Sequence, residues 1–324
     1  MNAGEAEREM VHQAEVPAEC SGRRLDQVAA QLFADYSRSR LQGWIRAGRV
    51  RVDGAVCRPR DKVWAGQALE LRVPQTRDLS NAPQPIPLEI VHQDEHLLVI
   101  DKPAGLVVHP AAGNPDGTLQ NALLHFDPAA GRLPRAGIVH RLDKETSGLM
   151  VVARTPLAHR RLVEALQARR IHREYRALVV GLPTAGGRVE APIGRHPVHR
   201  TRMAVVASGK PAVTHYRVAE RFRIHSLLDV RLETGRTHQI RVHMAHLGMP
   251  LVGDPLYGGR LKLPPGADEA TRRALADFRR QALHACRLEL EHPATGEPLA
   301  WSSPLPEDLS RLLEVLRADR AAHD

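Results

Sequence analysis

Residues 137–153 read GIVHRLDKETSGLMVVA. Two apolar runs, Ile138-Val139 and Leu149 to Val152, enclose His140, Arg141, Asp143, Lys144 and Glu145. The second run predicts a strand over 149–153. Taken alone, Asp143 reads as a turn aspartate capping the next element. Whether the charged stretch is a solvated turn or a site depends on the rest of the chain.

At 324 residues the chain accommodates one small and one large domain, each with a core of its own. Its formal net charge of +9 favours a polyanionic partner, nucleic acid before membrane, because no basic amphipathic anchor accompanies it. The charge is uneven. Residues 1–21 hold five Glu against one Arg, whereas residues 22–77 hold twelve Lys or Arg against five Asp or Glu. Three widely spaced cysteines without a CxxC pair argue against a disulfide scaffold and fit a reducing, cytoplasmic setting. The first residues lack the apolar core of a signal peptide, and no run approaches the roughly 20 apolar residues of a membrane span.

Four segments are expected. Residues 1–21 form an acidic flexible tail or a short leading strand. In 22–75, Leu25, Val28, Ala29, Leu32 and Phe33 recur at helical spacing. Ser37 is placed to cap a second helix carrying Leu41, Trp44 and Ile45 on one face and ending at Gly48. RVRVDGAVC then signals a hairpin about Asp53-Gly54. Arg38, Arg40, Arg46, Arg49 and Arg51 cluster here, and the fifty-residue unit resembles an S4-type (αL) RNA-binding domain. Residues 76–88, proline-rich, read as a linker. Residues 89–324 carry predicted strands near 96–101, 149–153, 174–181, 213–220, 225–233 and 238–242. Helices are predicted near 117–127, 156–170, 268–279 and 306–320. Without regular βαβ alternation, this is an α+β domain on a mixed or largely antiparallel sheet.

The motif search is mostly exclusionary. There is no HExxH, and His238 and His243, five apart in a predicted strand, would face opposite sides, so no metal site is expected. Ser147 lies outside any GxSxG elbow, no cysteine has an activating context, and both phosphate-binding glycine motifs are absent. Carboxylate chemistry remains. Asp143 with Glu145 could serve a glycosidase, but aromatic residues at 3% are few for a polysaccharide cleft. The other reading is one carboxylate flanked by bases on a nucleic-acid-binding body. Arg141 and Lys144 would meet phosphate, and LETGRTHQIRVHMAH (232–246) could bring Arg236 or Arg241 beside Asp143. A cation beside a carboxylate favours its ionised, nucleophilic form.

HRLDKETSGL, REYRAL (173–178) and LETGRTHQIRVH (232–243) together resemble the RluA family of RNA pseudouridine synthases. DKPAGLVVHPAAGNPDGTLQNALLH (101–125), RHPVHRTRMAV (195–205), GKPAVTHYRV (209–218) and HMAHLGMPLVGDPLYGGR (243–260) are similar to its RluD branch, which acts on a stem-loop of large-subunit ribosomal RNA. The resemblance runs from about residue 22 to near the end. It implies isomerisation of uridine to pseudouridine with no cofactor and no metal, on large-subunit rRNA or the large subunit; a monomer is the default expectation. It implies Asp143 as the essential carboxylate, Tyr175 packed against the target base, Arg241 paired with Asp143, and Arg141 holding the opened stack. Lys144, Arg236 and His238 are expected at the RNA, with Arg236 the alternative partner for Asp143. A ribosome-assembly factor that mainly binds RNA is the rival reading, separable by an Asp143→Asn variant. So is a nucleoside glycosidase, which would release free uracil.

Overall fold

A computed structural model describes residues 9–34, 36, 38–74, 82–111, 113–199 and 201–323. The chain divides into two units, Met1–Leu79 and Ser80–Asp324.

In the first unit, β1 (Glu9–Glu15) is followed by β2 (Arg23–Arg24), α1 (Leu25–Leu32), α2 (Arg38–Arg46), β3 (Val50–Val52), β4 (Ala55–Val56), β5 (Lys62–Val63) and β6 (Ala68–Pro74). The order β1-β6-β3-β4 makes an antiparallel sheet, and β2 pairs with β5. The helical spacing holds: Leu25, Val28, Ala29, Leu41 and Ile45 are fully buried in one core with Val50, Leu69 and Leu71. The hairpin holds too, since Asp53 and Gly54 both have positive φ (49° and 77°), as a type I′ turn requires. The proposed cap Ser37 lies outside the described residues. Of the two alternatives for the first residues, a flexible tail or a short leading strand, the strand forms from Glu9. Residues 9–15 belong to the sheet, with seven residues of β1 in register against β6, because β6 would otherwise present an unpaired edge. Residues 1–8 lie outside the described residues.

Asp26, on α1, ties the two helices together. It is fully buried and accepts hydrogen bonds from Arg24 (3.0 and 3.2 Å), Arg38 (2.8 Å) and Gln42 (2.6 Å). Burial works against its charge, but these donors win and hold its pKa near 2 instead of 3.8.

The second unit contains β7 (Glu89–Gln93), β8 (Leu97–Lys102), α3 (Leu119–Phe126), β9 (Ser147–Ala153), α4 (Pro156–Gln167) and β10 (His172–Val180). It continues with β11 (Gly187–Glu190), β12 (Ile193–Arg195), β13 (Met203–Val205), β14 (Val213–Arg221), β15 (His225–Leu232) and α5 (Gln239–His246). The last elements are α6 (Glu269–Asp277), β16 (Leu283–Glu291), β17 (Pro298–Ser302) and α7 (Glu307–Ala321). One sheet runs β11-β14-β15-β10-β16-β9-β8-β7, with β17 also on β16. It is antiparallel except where β9 meets β16 in parallel, at Ser147 and Gly148 against His284 and Ala285. Gly148 is required at that junction: with φ 116°, a Cβ on it would fall 2.3 Å from the Ala285 carbonyl oxygen. The fold is therefore α+β on a mixed sheet, as expected.

Three details differ from the sequence reading. Residues 238–242 are not a strand, because α5 occupies 239–246. All six residues from Gln239 to Met244 are buried, so no polar face marks the helical period and the local alternation misleads. Strand β16, at the centre of the sheet, is not among the predicted strands, although LHACRLELE alternates. The expected linker is partly fixed: Gln84 N–H donates to the Asn121 carbonyl, Asn121 Nδ2 donates to the Ala82 carbonyl, and Gln84 Oε1 accepts from Gly117 N–H. Residues 75–81 lie outside the described residues.

The Asp26 cluster predicts a pH-dependent stability. A depressed carboxylate stabilises the fold above its unfolded pKa and loses that contribution as the pH falls through the folded value. The first unit should therefore lose stability between about pH 4 and about pH 2. Asp26→Asn should remove about 1–2 kcal/mol at neutral pH, after discounting for the half-exposed arginines. Thermal unfolding of the full chain, followed against pH in both forms, checks this.

Candidate active site

Asp143 stands on the loop 139–146, between a bridge at Ile138 and β9. This loop is not a solvated turn. His140 Nε2 accepts the Val151 N–H at 3.1 Å, and Leu142 is buried in the main core. The Lys144 carbonyl accepts from Gly105 N–H and from Lys102 Nζ, at 2.9 and 3.0 Å. The Glu145 carbonyl accepts from Arg280, and Thr146 Oγ1 accepts from Gln281. Lys102 is fully buried and spends its three donors on the carbonyls of Pro103, Leu106 and Lys144. Burial lowers its pKa to about 8, against the opposing pull of Glu145 and Asp143, so it stays largely charged at neutral pH.

The partner of Asp143 is Arg241, one turn into α5. Nη1 donates to Asp143 Oδ2 at 3.0 Å, while Nε and Nη2 form a two-point fork on Asp254, at 2.7 and 2.9 Å. Arg241 and Asp254 are each only 4% exposed. Burial disfavours the guanidinium charge, yet the two carboxylates outweigh that cost and raise its pKa. Asp254 is itself held, because its Oδ1 accepts the Leu256 and Tyr257 N–H groups. Upstream of α5, Gln239 fixes the turn: it accepts from Thr234 and from Arg236 N–H and donates to the Val213 carbonyl.

Asp143, Arg241 and Gln239 line a cavity of about 570 Å³, within the roughly 300–1,000 Å³ of small-ligand sites. Tyr175 on β10 lines it and is buried, which raises its phenol pKa and keeps it protonated. His238 lines it from a left-handed backbone position (φ 56°), with Nε2 4.0 Å from Asp143 and Nδ1 2.8 Å from the Tyr257 hydroxyl. Burial lowers the His238 pKa against the pull of Asp143, and so disfavours the charged ring. Arg141 and Arg236 are exposed on the wall, and Arg236 Nε donates to the Pro211 carbonyl. Lys144 is exposed but does not line the cavity. Of the two candidates for pairing with Asp143, geometry selects Arg241. His243 is turned away, buried between Thr214 and the Ala191 carbonyl.

Asp254, Lys102 and Tyr257 carry much of this arrangement, yet the sequence reading assigns them no role. The strings DKPAGL and GDPLYGG contain them, but without the fold nothing says that either string meets HRLD. In the first unit, Arg38 pairs with Asp26 at 2.8 Å while its side chain stays half exposed. Arg46 is exposed, Arg49 and Arg51 are half-buried, and the Arg40 side chain lies outside the described ones. Arg51 stands opposite Glu70 across β3 and β6. Among the described residues no three His, Cys, Asp or Glu side chains are grouped to hold a metal ion, and no helix is long and apolar enough to cross a membrane.

Residues 96–246 match the family described as RNA pseudouridylate synthase, and residues 23–68 match the S4 domain. The chain is 62% identical to ribosomal large subunit pseudouridine synthase D of Pseudomonas aeruginosa, covering 95% of this chain and 97% of that one. It is 58% identical to the protein of the same name from Xanthomonas campestris pv. campestris, covering 96% and 94%. Among solved structures it is similar to human RNA pseudouridylate synthase domain containing 4, with 29% identity, a TM-score of 0.55, and coverage of 71% of this chain and 93% of that one. With identity at this level over nearly its whole length, the chain belongs to the RNA pseudouridylate synthase family.

Proposed function

We propose that this enzyme converts uridine to pseudouridine at a defined position in a stem-loop of large-subunit ribosomal RNA, with Asp143 as the reacting carboxylate. The observation that carries the reading is the Asp143–Arg241 pair lining an arginine-rich cavity, with Arg241 forked on Asp254 behind it. The reaction breaks the bond from N1 to C1′, turns the uracil, joins C5 to C1′ and passes the C5 proton to water. Product and substrate are isomers, so the chemistry balances without a co-reactant.

A carboxylate on a pocket floor cannot reach C1′ or C5 of a stacked base, so the nucleotide must be flipped out. Unstacking costs a few kcal/mol, which phosphate contacts from Arg and Lys offset. A loop nucleotide is cheaper to extrude than a paired one. In this reading Arg141, exposed beside Asp143, occupies the space the base leaves. Tyr175 packs on the flipped uracil, and Arg236 and Lys144 meet the backbone. Arg46, Arg49 and Arg51 of the S4 unit hold the RNA elsewhere, and the covalent tether raises the effective concentration of the catalytic unit at its target. The free thiols of Cys20, Cys57 and Cys286 support a reducing, cytoplasmic setting, and a monomer suffices for this mechanism.

The test uses large-subunit rRNA transcribed with tritium at uridine C5. The wild type should release tritium to water and no free uracil. Asp143→Asn should release none while still binding the RNA. Free uracil would make the enzyme a glycosidase, and activity retained by Asp143→Asn would remove that residue from the chemistry.

A second variant probes the support of Arg241. Asp254→Asn keeps the shape of the side chain but weakens the fork, and a displacement of about 1 Å at a reacting group can cost on the order of a hundredfold in rate. We expect kcat for tritium release to fall about a hundredfold with RNA affinity nearly unchanged. An equal loss in binding would place Asp254 in RNA recognition instead.

A further inference from the structure

We infer that Arg173 binds a backbone phosphate next to the reacting nucleotide. This rests on the uridine-isomerising reading of the cavity and adds a positioning contact to it. Arg173 lies on β10 two residues before Tyr175, and both side chains line the cavity. Its Nε is buried without a partner, and its guanidinium has no hydrogen bond or ion pair among the described residues.

The neighbouring carboxylates are already engaged. Asp143 is taken by Arg241, and Glu233 by Arg169 at 2.6 Å and His215 at 2.7 Å. A half-buried guanidinium with no acceptor is costly, and an anion from outside relieves that cost. A second donor beside it lacks a partner. His140 Nε2 accepts the Val151 N–H, so the ring proton sits on Nδ1, which is buried and unpaired. Two orphan donors on one wall suit a ligand with several acceptor oxygens, and an arginine fork matches phosphate. The chain also leaves room for the fork: a Cβ on Gly235 would stand 3.1 Å from Arg173 Nη1.

Steady-state tritium release from C5-labelled large-subunit rRNA, measured across a salt series, tests the assignment. Arg173→Gln should raise KM about tenfold near 0.1 M salt and change kcat little. Because each single-strand phosphate contact contributes roughly 0.7 to the slope of log affinity against log salt, the variant's slope should fall by about that amount. Arg173→Lys should restore the slope, though not the full affinity, since it returns the charge without the fork. A raised KM with an unchanged slope would overturn the assignment, because a base carbonyl or a packing role carries no counterion release. A loss confined to kcat would overturn it too. If the wild type itself releases no tritium, the reading of the cavity as uridine-isomerising fails, and this inference with it.

Discussion

The catalytic unit is organised around one buried arginine shared by two aspartates. A single guanidinium has five donors in a rigid plane, and Arg241 spends two on Asp254 and one on Asp143. The fork on Asp254 fixes the plane, and the plane fixes where the donor to Asp143 points. Neither contact can be given up cheaply, because a charge this deep has no water to fall back on. Asp143, 16% exposed at its side chain, is thus held from behind by a group that cannot turn, while its front faces the cavity.

Such a pair is useful only if both of its supports are rigid, and the fold provides that in two different ways. On the Arg241 side, a short buried helix is locked at its start by Gln239 and on its flank by the Asp254 turn. On the Asp143 side there is no regular secondary structure at all. Main-chain carbonyls of the loop are instead satisfied by the buried side chains of Lys102 and Arg280, and Arg280 is in turn forked on Asp308. A loop built in this way pays its hydrogen-bonding requirement with charged donors, which hold better than neutral ones. The close approach of β9 to β16 at Gly148 sets the loop's outgoing end.

Much of this was legible in the residues themselves. The hairpin about Asp53-Gly54, the apolar faces of α1 and α2, and the buried strand Leu149–Ala153 follow from local rules of turn geometry and periodicity. So did the candidate pair, since a carboxylate among bases in HRLD and two arginines in TGRTHQIR left few combinations. What was not legible has a common cause. Helix α5 is buried from Gln239 to Met244, where polar and apolar residues alternate, so its period was hidden and its His238–Val242 segment read as a strand. Strand β1 has meaning only against β6, some sixty residues later. That Arg38 also pairs with Asp26, twelve positions earlier, follows only from their distance in the fold.

By itself, then, the sequence determined the two-part organisation, the basic first unit, the α+β class and the small set of groups able to do carboxylate chemistry. These depend on residue type and on spacing within about a dozen positions. Only the tertiary structure decided that Arg241 and not Arg236 meets Asp143, 98 positions away, and that Asp254 orients it. It also decided that Lys102 holds the loop and that Arg173 is left without a counter-charge. Charge pairing depends on distances of 3 to 4 Å and on removal from water. Neither is a property of a string of residues until the chain has closed on itself.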